Sequence, residues 1–279
     1  MKEINLRIKS ITGTKQITKA MELVAISKLT KAMDRITKCR PYYTELYSQI
    51  SGISELGLPE ESVYCQDREV KKSCIIAIAG DRGLAGGYNS NLFKYFESEA
   101  EGKQICVLPM GKKAIEHFSR RGYEILSESY QSVEDVDVGD CFELSRMLTQ
   151  LYSDGAFDEL YVVYTTFVSM LSQTPASLKL LPLDVTSPKG EPSDIGYTLI
   201  EPSPAAVFDS IVPSGLAGLI WGAVCESRAS ELAARRIAME NATSNAEEII
   251  SDLRLKYNKA RKSSITQQIT EIVSGAQAE

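Results

Sequence analysis

The chain has 279 residues, of which 43% are hydrophobic and 24% charged, with a formal net charge of −6. At roughly 150 residues per domain the prior is about two domains, and the apolar-to-charged balance excludes wholesale disorder. A net-negative chain is a poor whole-chain polyanion binder. The lone histidine, His117, excludes HExxH and paired-His sites and is the only imidazole a Ser-His-Asp triad could use.

The N-terminal stretch MKEINLRIKSITGTKQ lacks the apolar run of a signal peptide. No unbroken run of about 18 apolar residues is present, so no membrane-spanning helix is expected. Cys39, Cys65, Cys74, Cys106, Cys141 and Cys225 include no CxxC pair and are expected to be free thiols. Charge is uneven: residues 2–40 carry +7, residues 208–279 carry −1, and the middle carries −12. The basic N-terminal arm reads either as a solvated helix face or as a surface for an acidic partner.

Residues 1–58 read as one long helix. Ile4, Ile8, Ile11, Ile17, Met21, Val24, Leu29, Ala32, Met33 and Ile36 recur at helical spacing, and Gly57-Leu58-Pro59 marks the stop. About 50 residues at 1.5 Å per residue span roughly 75 Å, more than a small domain can cover. Pro41 is a candidate kink. After a linker at 59–72, residues 73–183 alternate strand and helix. The expected strands are Ser73–Ala79, Gln104–Leu108, Glu124–Leu126 and Leu160–Tyr164, with edge strands at Val168–Leu171 and Leu178–Leu181. The expected helices are Asn89–Glu99, Gly111–Arg121 and Cys141–Ser153. This order implies a mostly parallel, Rossmann-like α/β domain.

Residues 184–207 read as a Pro-rich return, with prolines 182, 188, 192, 202 and 204 breaking regular structure. Residues 208–279 read as the second long helix, uninterrupted from Leu216, with a small and polar seam at Ala223, Ser227, Ser230, Ala234, Ile237 and Asn241. Small seam residues permit close backbone approach but bury little apolar area. Such a helix needs a partner, and the N-terminal helix, antiparallel as a coiled coil, is the cheapest. The last turns, SSITQQITEIVSGAQA, carry one charge and an apolar stripe of Ile265, Ile269, Ile272 and Val273. That tip is expected to fold back or to be held by another protein.

Gly80-Asp-Arg-Gly-Leu-Ala-Gly-Gly87 sits at a strand-to-helix turn, where phosphates bind in some folds. Its spacing is neither GxGxxG nor a P-loop. It reads as a tight turn followed by a helix capped by Asn89, Ser90 or Asn91. Asp81 and Arg82 read as an anion site or as a mutual pair. Glu134, Asp135, Asp137 and Asp140 read as a solvated acidic loop without EF-hand spacing. No nucleophile–base pair can be nominated.

RIKSITGTKQITKAMELVAISKLTKA (7–32) and NATSNAEEIISDLRLKYNKARKSSITQQITEIVSGA (241–276) resemble the two ends of the gamma-chain family of F-type ATP synthases. AGDRGLAGGYNSNLF (79–93), LSQTPASLKLLPL (171–183) and EPSPAAVFD (201–209) also look familial, so the resemblance runs along essentially the whole chain. It implies a non-catalytic central-stalk rotor with no cofactor or metal of its own, on the cytoplasmic face of a bacterial membrane. The implied partners are the alpha and beta chains of the catalytic hexamer (one gamma per three pairs), the epsilon chain and the c-subunit ring. By the same resemblance, Met21, Lys28, Lys31, Arg35 and Arg235 meet the acidic lever of the beta chains. Thr266 and Gln267 belong to a catch near the tip, and Ile265, Ile269, Ile272 and Val273 form an apolar bearing. Thr30, Lys15-Gln16, Lys262 and Gln268 depart from the family's usual residues. Two other functions compete: a nucleotide- or phosphate-binding α/β enzyme using the Gly80–Gly87 loop and dimerised by its helices, and a coiled-coil adaptor or nucleic-acid clamp using the basic arm.

Overall fold

The computed structural model describes residues 1–55, 62–66, 68–183 and 203–276, with backbone alone at 40, 42–44, 46–55, 204 and 271–276. In chain order the described elements are α1 (Lys2–Glu55), β1 (Lys72–Ile78), α2 (Tyr88–Ala100), β2 (Gln104–Met110), α3 (Lys112–Arg121), β3 (Glu124–Ile125), α4 (Val138–Ser153), β4 (Glu159–Phe167), β5 (Gln173–Leu181) and α5 (Pro204–Ala276). The chain divides into two compact units, Lys28–Ala234 and Met1–Ser27 with Arg235–Glu279.

In the first of these units the strands form one sheet in the order β3-β2-β1-β4-β5. β1 pairs in parallel with β2 and β4, β2 with β3, and β5 closes the edge antiparallel to β4. The near-continuous apolar runs of β1 and β2 follow from burial on both faces. Cys74, Ile76 and Ile78 point to a core shared with Leu144, Leu148 and Tyr152 of α4 and with Phe208, Val212 and Ile220 of α5. Ile75 and Ala77 point to the opposite core, with Leu92 and Phe96 of α2 and Phe118 of α3. Val168–Leu171, expected as an edge strand, is instead the loop between β4 and β5, where Ser169 and Ser172 exchange backbone hydrogen bonds. The strand that follows starts at Gln173, five residues before the expected Leu178.

α5 begins at Pro204, four residues before the expected 208, and already runs unbroken ahead of Leu216. The Ala206 N–H donates to Ser203 Oγ at 3.2 Å, so Ser203 caps the helix and Pro204 takes its first position, where a missing N–H costs nothing. The helix continues through Pro213, whose carbonyl accepts from Ser145 Oγ at 2.5 Å. α1 likewise runs through Pro41. The expected stop at Gly57-Leu58-Pro59 and prolines 188, 192 and 202 lie outside the described residues. α5 also contains an 18-residue window with mean hydropathy 1.5, apolar enough to cross a membrane by composition although no unbroken apolar run marks it. Just over half of that window, 56%, is buried within the fold. Phe208, Val212, Leu216, Ala217, Ile220 and Val224 form part of the sheet core.

In the unit built from the chain ends, the covered positions of α1 include Ile4, Ile8, Ile11, Lys15, Thr18, Glu22 and Ala25. Those of α5 include Arg236, Met239, Thr243, Ala246, Ile250, Leu253 and Tyr257. Both sets alternate steps of three and four, the period of a left-handed coiled coil. Lys15 Nζ reaches Glu247 Oε1 at 2.7 Å and Thr18 Oγ1 meets Thr243 Oγ1 at 2.8 Å, which fixes the helices as antiparallel. The expected stripe through Ile17, Met21 and Val24 is one residue out of register: Ile17 and Val24 are exposed and Met21 half-buried. The cause is the small, polar character of the seam, where Thr18 and Ala25 let the backbones close and the larger apolar residues face outward. Glu22 is buried at the seam and takes Lys19 Nζ at 2.8 Å.

The expected α5 seam is corrected in the same way. Asn241 is exposed, and Ser227 and Ser230 serve the sheet. In the sheet-bearing unit, Leu29 and Ala32 of α1 pack instead on Ala229, Leu232 and Ala233 of α5.

Candidate functional site

In an open parallel sheet, ligands bind beyond the carboxyl ends of the strands where the strand order reverses. Here that point lies between β1 and β4, which neighbour each other while β2 lies on the other side of β1. It is filled by protein. Ser227 Oγ of α5 accepts from the Thr165 N–H of β4 at 3.3 Å and lies 3.4 Å from the Ile78 carbonyl that ends β1. Ser230 Oγ donates to the Thr165 carbonyl at 3.0 Å, and Tyr88 OH lies 3.0 Å from Ser227 Oγ. Tyr88 is buried, and desolvation holds its phenol well above the usual tyrosine range. The two serines earn their small size here, because the helix backbone must come close enough to satisfy strand-end groups.

The glycine loop serves this closure. Leu84 and Gly86 adopt positive φ, the latter at 57°, as a tight turn requires. α2 starts at Tyr88 with Gly87 at its N-cap and no side-chain cap, so none of Asn89, Ser90 or Asn91 plays the expected capping part. Asn89 Oδ1 turns back to accept the Gly80 N–H at 2.9 Å. Asp81 neither pairs with Arg82 nor stands free for an anion. Its carboxylate accepts from Val133 N–H (2.9 Å), Ser132 Oγ (3.2 Å) and Glu134 N–H (3.3 Å), tying the loop to the acidic segment.

That acidic segment is structural, and three of its members do work the sequence reading missed. Asp137 and Asp140 form the capping box of α4. Glu134 Oε1 takes Lys28 Nζ of α1 at 2.7 Å and Arg228 Nη2 of α5 at 3.1 Å, while its carbonyl accepts Arg228 Nη1 at 3.1 Å. The hydrogen-bonded Lys28 ammonium holds the Glu134 carboxyl below its usual range, with the Lys28 and Arg228 charges adding to the effect. Among the described residues no group of three or more His, Cys, Asp and Glu is placed to hold a metal.

The expected contact residues fall on helix surfaces. Met21, Lys28 and Arg35 are spaced by sevens on α1, at the position just before the seam residues Glu22, Leu29 and Ile36. Lys28 is engaged by Glu134, Lys31 is exposed, and Arg35 lines a shallow cleft with Trp221, Val224, Cys225 and Arg228 of α5. Arg235, half-buried, stands one heptad after Arg228. Toward the C terminus Ile265 and Ile269 are 44% and 56% exposed, so this stretch does not fold back on its own unit. Thr266 Oγ1 donates to the Lys262 carbonyl at 2.9 Å, and Gln267 is exposed. The side chains of Ile272 and Val273 lie outside the described residues.

Residues 1–278 match the family model described as ATP synthase. The ATP synthase gamma chain of Ruminococcus albus is 39% identical over 99% of this chain and 97% of its own. The sodium-ion-specific gamma chain of Acetobacterium woodii is 38% identical over 100% and 98%. A chain of the Euglena gracilis mitochondrial ATP synthase, in a structure of OSCP, F1 and c-ring, superposes with a TM-score of 0.67 at 19% identity, covering 99% of this chain and 93% of that one. With two end-to-end relatives well above 30% identity and a family model spanning the helices and the sheet, the chain belongs to the ATP synthase gamma-chain family.

Proposed function

We propose that this chain is the central-stalk rotor of an F-type ATP synthase. It turns with the c-subunit ring and presents a different face to each beta chain in turn. On this reading 1–58 and 208–279 are the shaft, 73–183 the α/β domain, and 59–72 and 184–207 the connections. The observation that carries the reading is the antiparallel heptad seam made from the two ends of the chain. Alongside it, Leu6, Ile17, Leu23, Val24, Ile249 and Leu255 remain exposed. A helix pair that leaves these large apolar residues exposed beside its seam is suited to sit within a surrounding protein. The filled reversal point between β1 and β4 argues against the nucleotide-binding enzyme, because Ser227 and Ser230 occupy the crevice a ligand would need.

The shaft does no covalent chemistry in this account. Each orientation favours one conformation of each beta chain by differences in contact energy, and the coupling is reciprocal. Met21, Lys28, Lys31, Arg35 and Arg235 would meet the acidic lever. Ile265, Thr266, Gln267, Ile269, Ile272 and Val273 would run in a bearing whose contacts are apolar and non-directional, so that turning costs little. The alpha and beta chains, the epsilon chain and the c-subunit ring are the proposed partners. The chain would reach the cytoplasmic face of a bacterial membrane only through them.

The test is co-expression with the alpha and beta chains of the same organism, followed by gel filtration and ATPase assay. One copy per three alpha-beta pairs, with multi-site turnover impaired on deleting residues 263–279, supports the reading. A stable chain that ignores alpha and beta but binds nucleotide overturns it.

A further inference from the structure

Two thiols face each other where α1 and α5 pack in the sheet-bearing unit. Cys39 of α1 is partly exposed and packs against the core cluster that holds Trp221 and Cys225 of α5, Cys225 being buried one helical turn after Trp221. Trp221 Nε1 donates to Cys39 Sγ at 3.2 Å and fixes the position of that sulfur. Arg35 and Arg228 line a cleft with Trp221 and Cys225, so two guanidinium groups lie near the Cys225 sulfur. The other cysteines are arranged differently. Cys74 and Cys106 are in register on β1 and β2 but sealed in the core, Cys141 is buried, and Cys65 belongs to the segment preceding β1.

We propose that Cys39 and Cys225 form an oxidative modification site, which hydrogen peroxide closes into a reversible disulfide joining α1 to α5. Cys39, the exposed partner, attacks peroxide. Its S–O bond forms as the O–O bond breaks, leaving a sulfenic acid and releasing hydroxide, which leaves as water with the Cys39 proton. Cys225 sulfur then attacks Cys39 sulfur. The S–O bond breaks, and the Cys225 proton leaves with the departing hydroxyl as a second water. Two thiols are oxidised to one disulfide and one peroxide is reduced to two waters. Burial pushes the Cys225 thiol up to about 12, so Cys225 keeps its proton until this second step. A thiol reductant reverses the link by exchange.

The experiment treats the folded full-length chain with dilute hydrogen peroxide, blocks remaining thiols with an alkylating reagent and maps the peptides by mass spectrometry without reduction. The expected result is a peptide pair joining Cys39 to Cys225. It forms before Cys74, Cys106 and Cys141 lose reactivity, disappears on adding dithiothreitol, and is missing in Cys39→Ser and in Cys225→Ser. Mapping of the unsubstituted chain decides the matter even if a serine variant folds poorly. Three results would overturn the proposal: Cys39 passing to sulfinic acid with Cys225 still alkylatable, linkage of Cys39 to Cys65, or disulfide-joined dimers in place of the internal link.

Discussion

Ala25 and Val24 are neighbours on α1 with opposite environments: Ala25 is 1% exposed and Val24 55%. Replacing Ala25 with Leu forces a branched side chain between two helices held close by small residues. Overpacking of this kind costs about 1–3 kcal/mol. For a chain of this size each kcal/mol lowers the melting temperature by roughly 2–4 °C, so a fall of roughly 2–12 °C is expected. Val24→Ser on the exposed face should stay within about 0.5 kcal/mol of the parent. Thermal melts of the purified chain followed by circular dichroism measure both. The pair discriminates because the two candidate seams differ by one residue. A neutral Ala25→Leu with a destabilising Val24→Ser would return the seam to Ile17, Met21 and Val24 and refute the heptad register.

Three further outcomes are expected. Gly111→Ala should abolish soluble expression or cost more than about 3 kcal/mol, because Gly111 has φ 95° and a Cβ there would drive into the Ala79 carbonyl; soluble yield and urea unfolding report it. Ser227→Val should cost about 1–3 kcal/mol by removing the acceptor of the Thr165 N–H and a partner of Tyr88 OH, read by urea unfolding. Glu134 has a depressed carboxyl, so its contribution is present above the ordinary 4.5 and is lost as pH falls through the lowered folded value. Because the Lys28–Glu134 pair is partly exposed, that contribution is below about 1 kcal/mol, and Glu134→Gln should flatten the acid limb of the melting-temperature profile by that much.

The alternation of strand and helix from Lys72 to Ser153 was legible because each signal was local: apolar runs for β1 and β2, and helical spacing for α2, α3 and α4. The edge of the sheet was not, since Val168–Leu171 is apolar yet turns the chain between β4 and β5, and hydrophobicity alone does not separate a strand from a hairpin loop. The long helices were legible in extent but not in register. A reader following large apolar side chains selects Ile17 and Val24, whereas close packing selects Thr18 and Ala25. The start of α5 carried a usable signal in Ser203-Pro204, an N-cap followed by an N1 proline, that was obscured by reading every proline there as a breaker.

The role of Glu134 had no local signature. Its partners Lys28 and Arg228 are about a hundred residues away on either side, and only the tertiary fold joins them. The filled crevice beside β1 was equally hidden, because Ser227 and Ser230 look like a helix–helix seam until the strand ends they satisfy are known.

On the proposed function, this chain turns inside a ring of alpha and beta chains. The direct measurement immobilises the reconstituted hexamer, attaches a visible probe to the α/β domain of this chain, and follows the probe while ATP is hydrolysed. The account predicts rotation in one direction that depends on ATP and stops when ATP is removed. Sustained multi-site ATP turnover with the probe stationary, or turning equally in both directions, would contradict it.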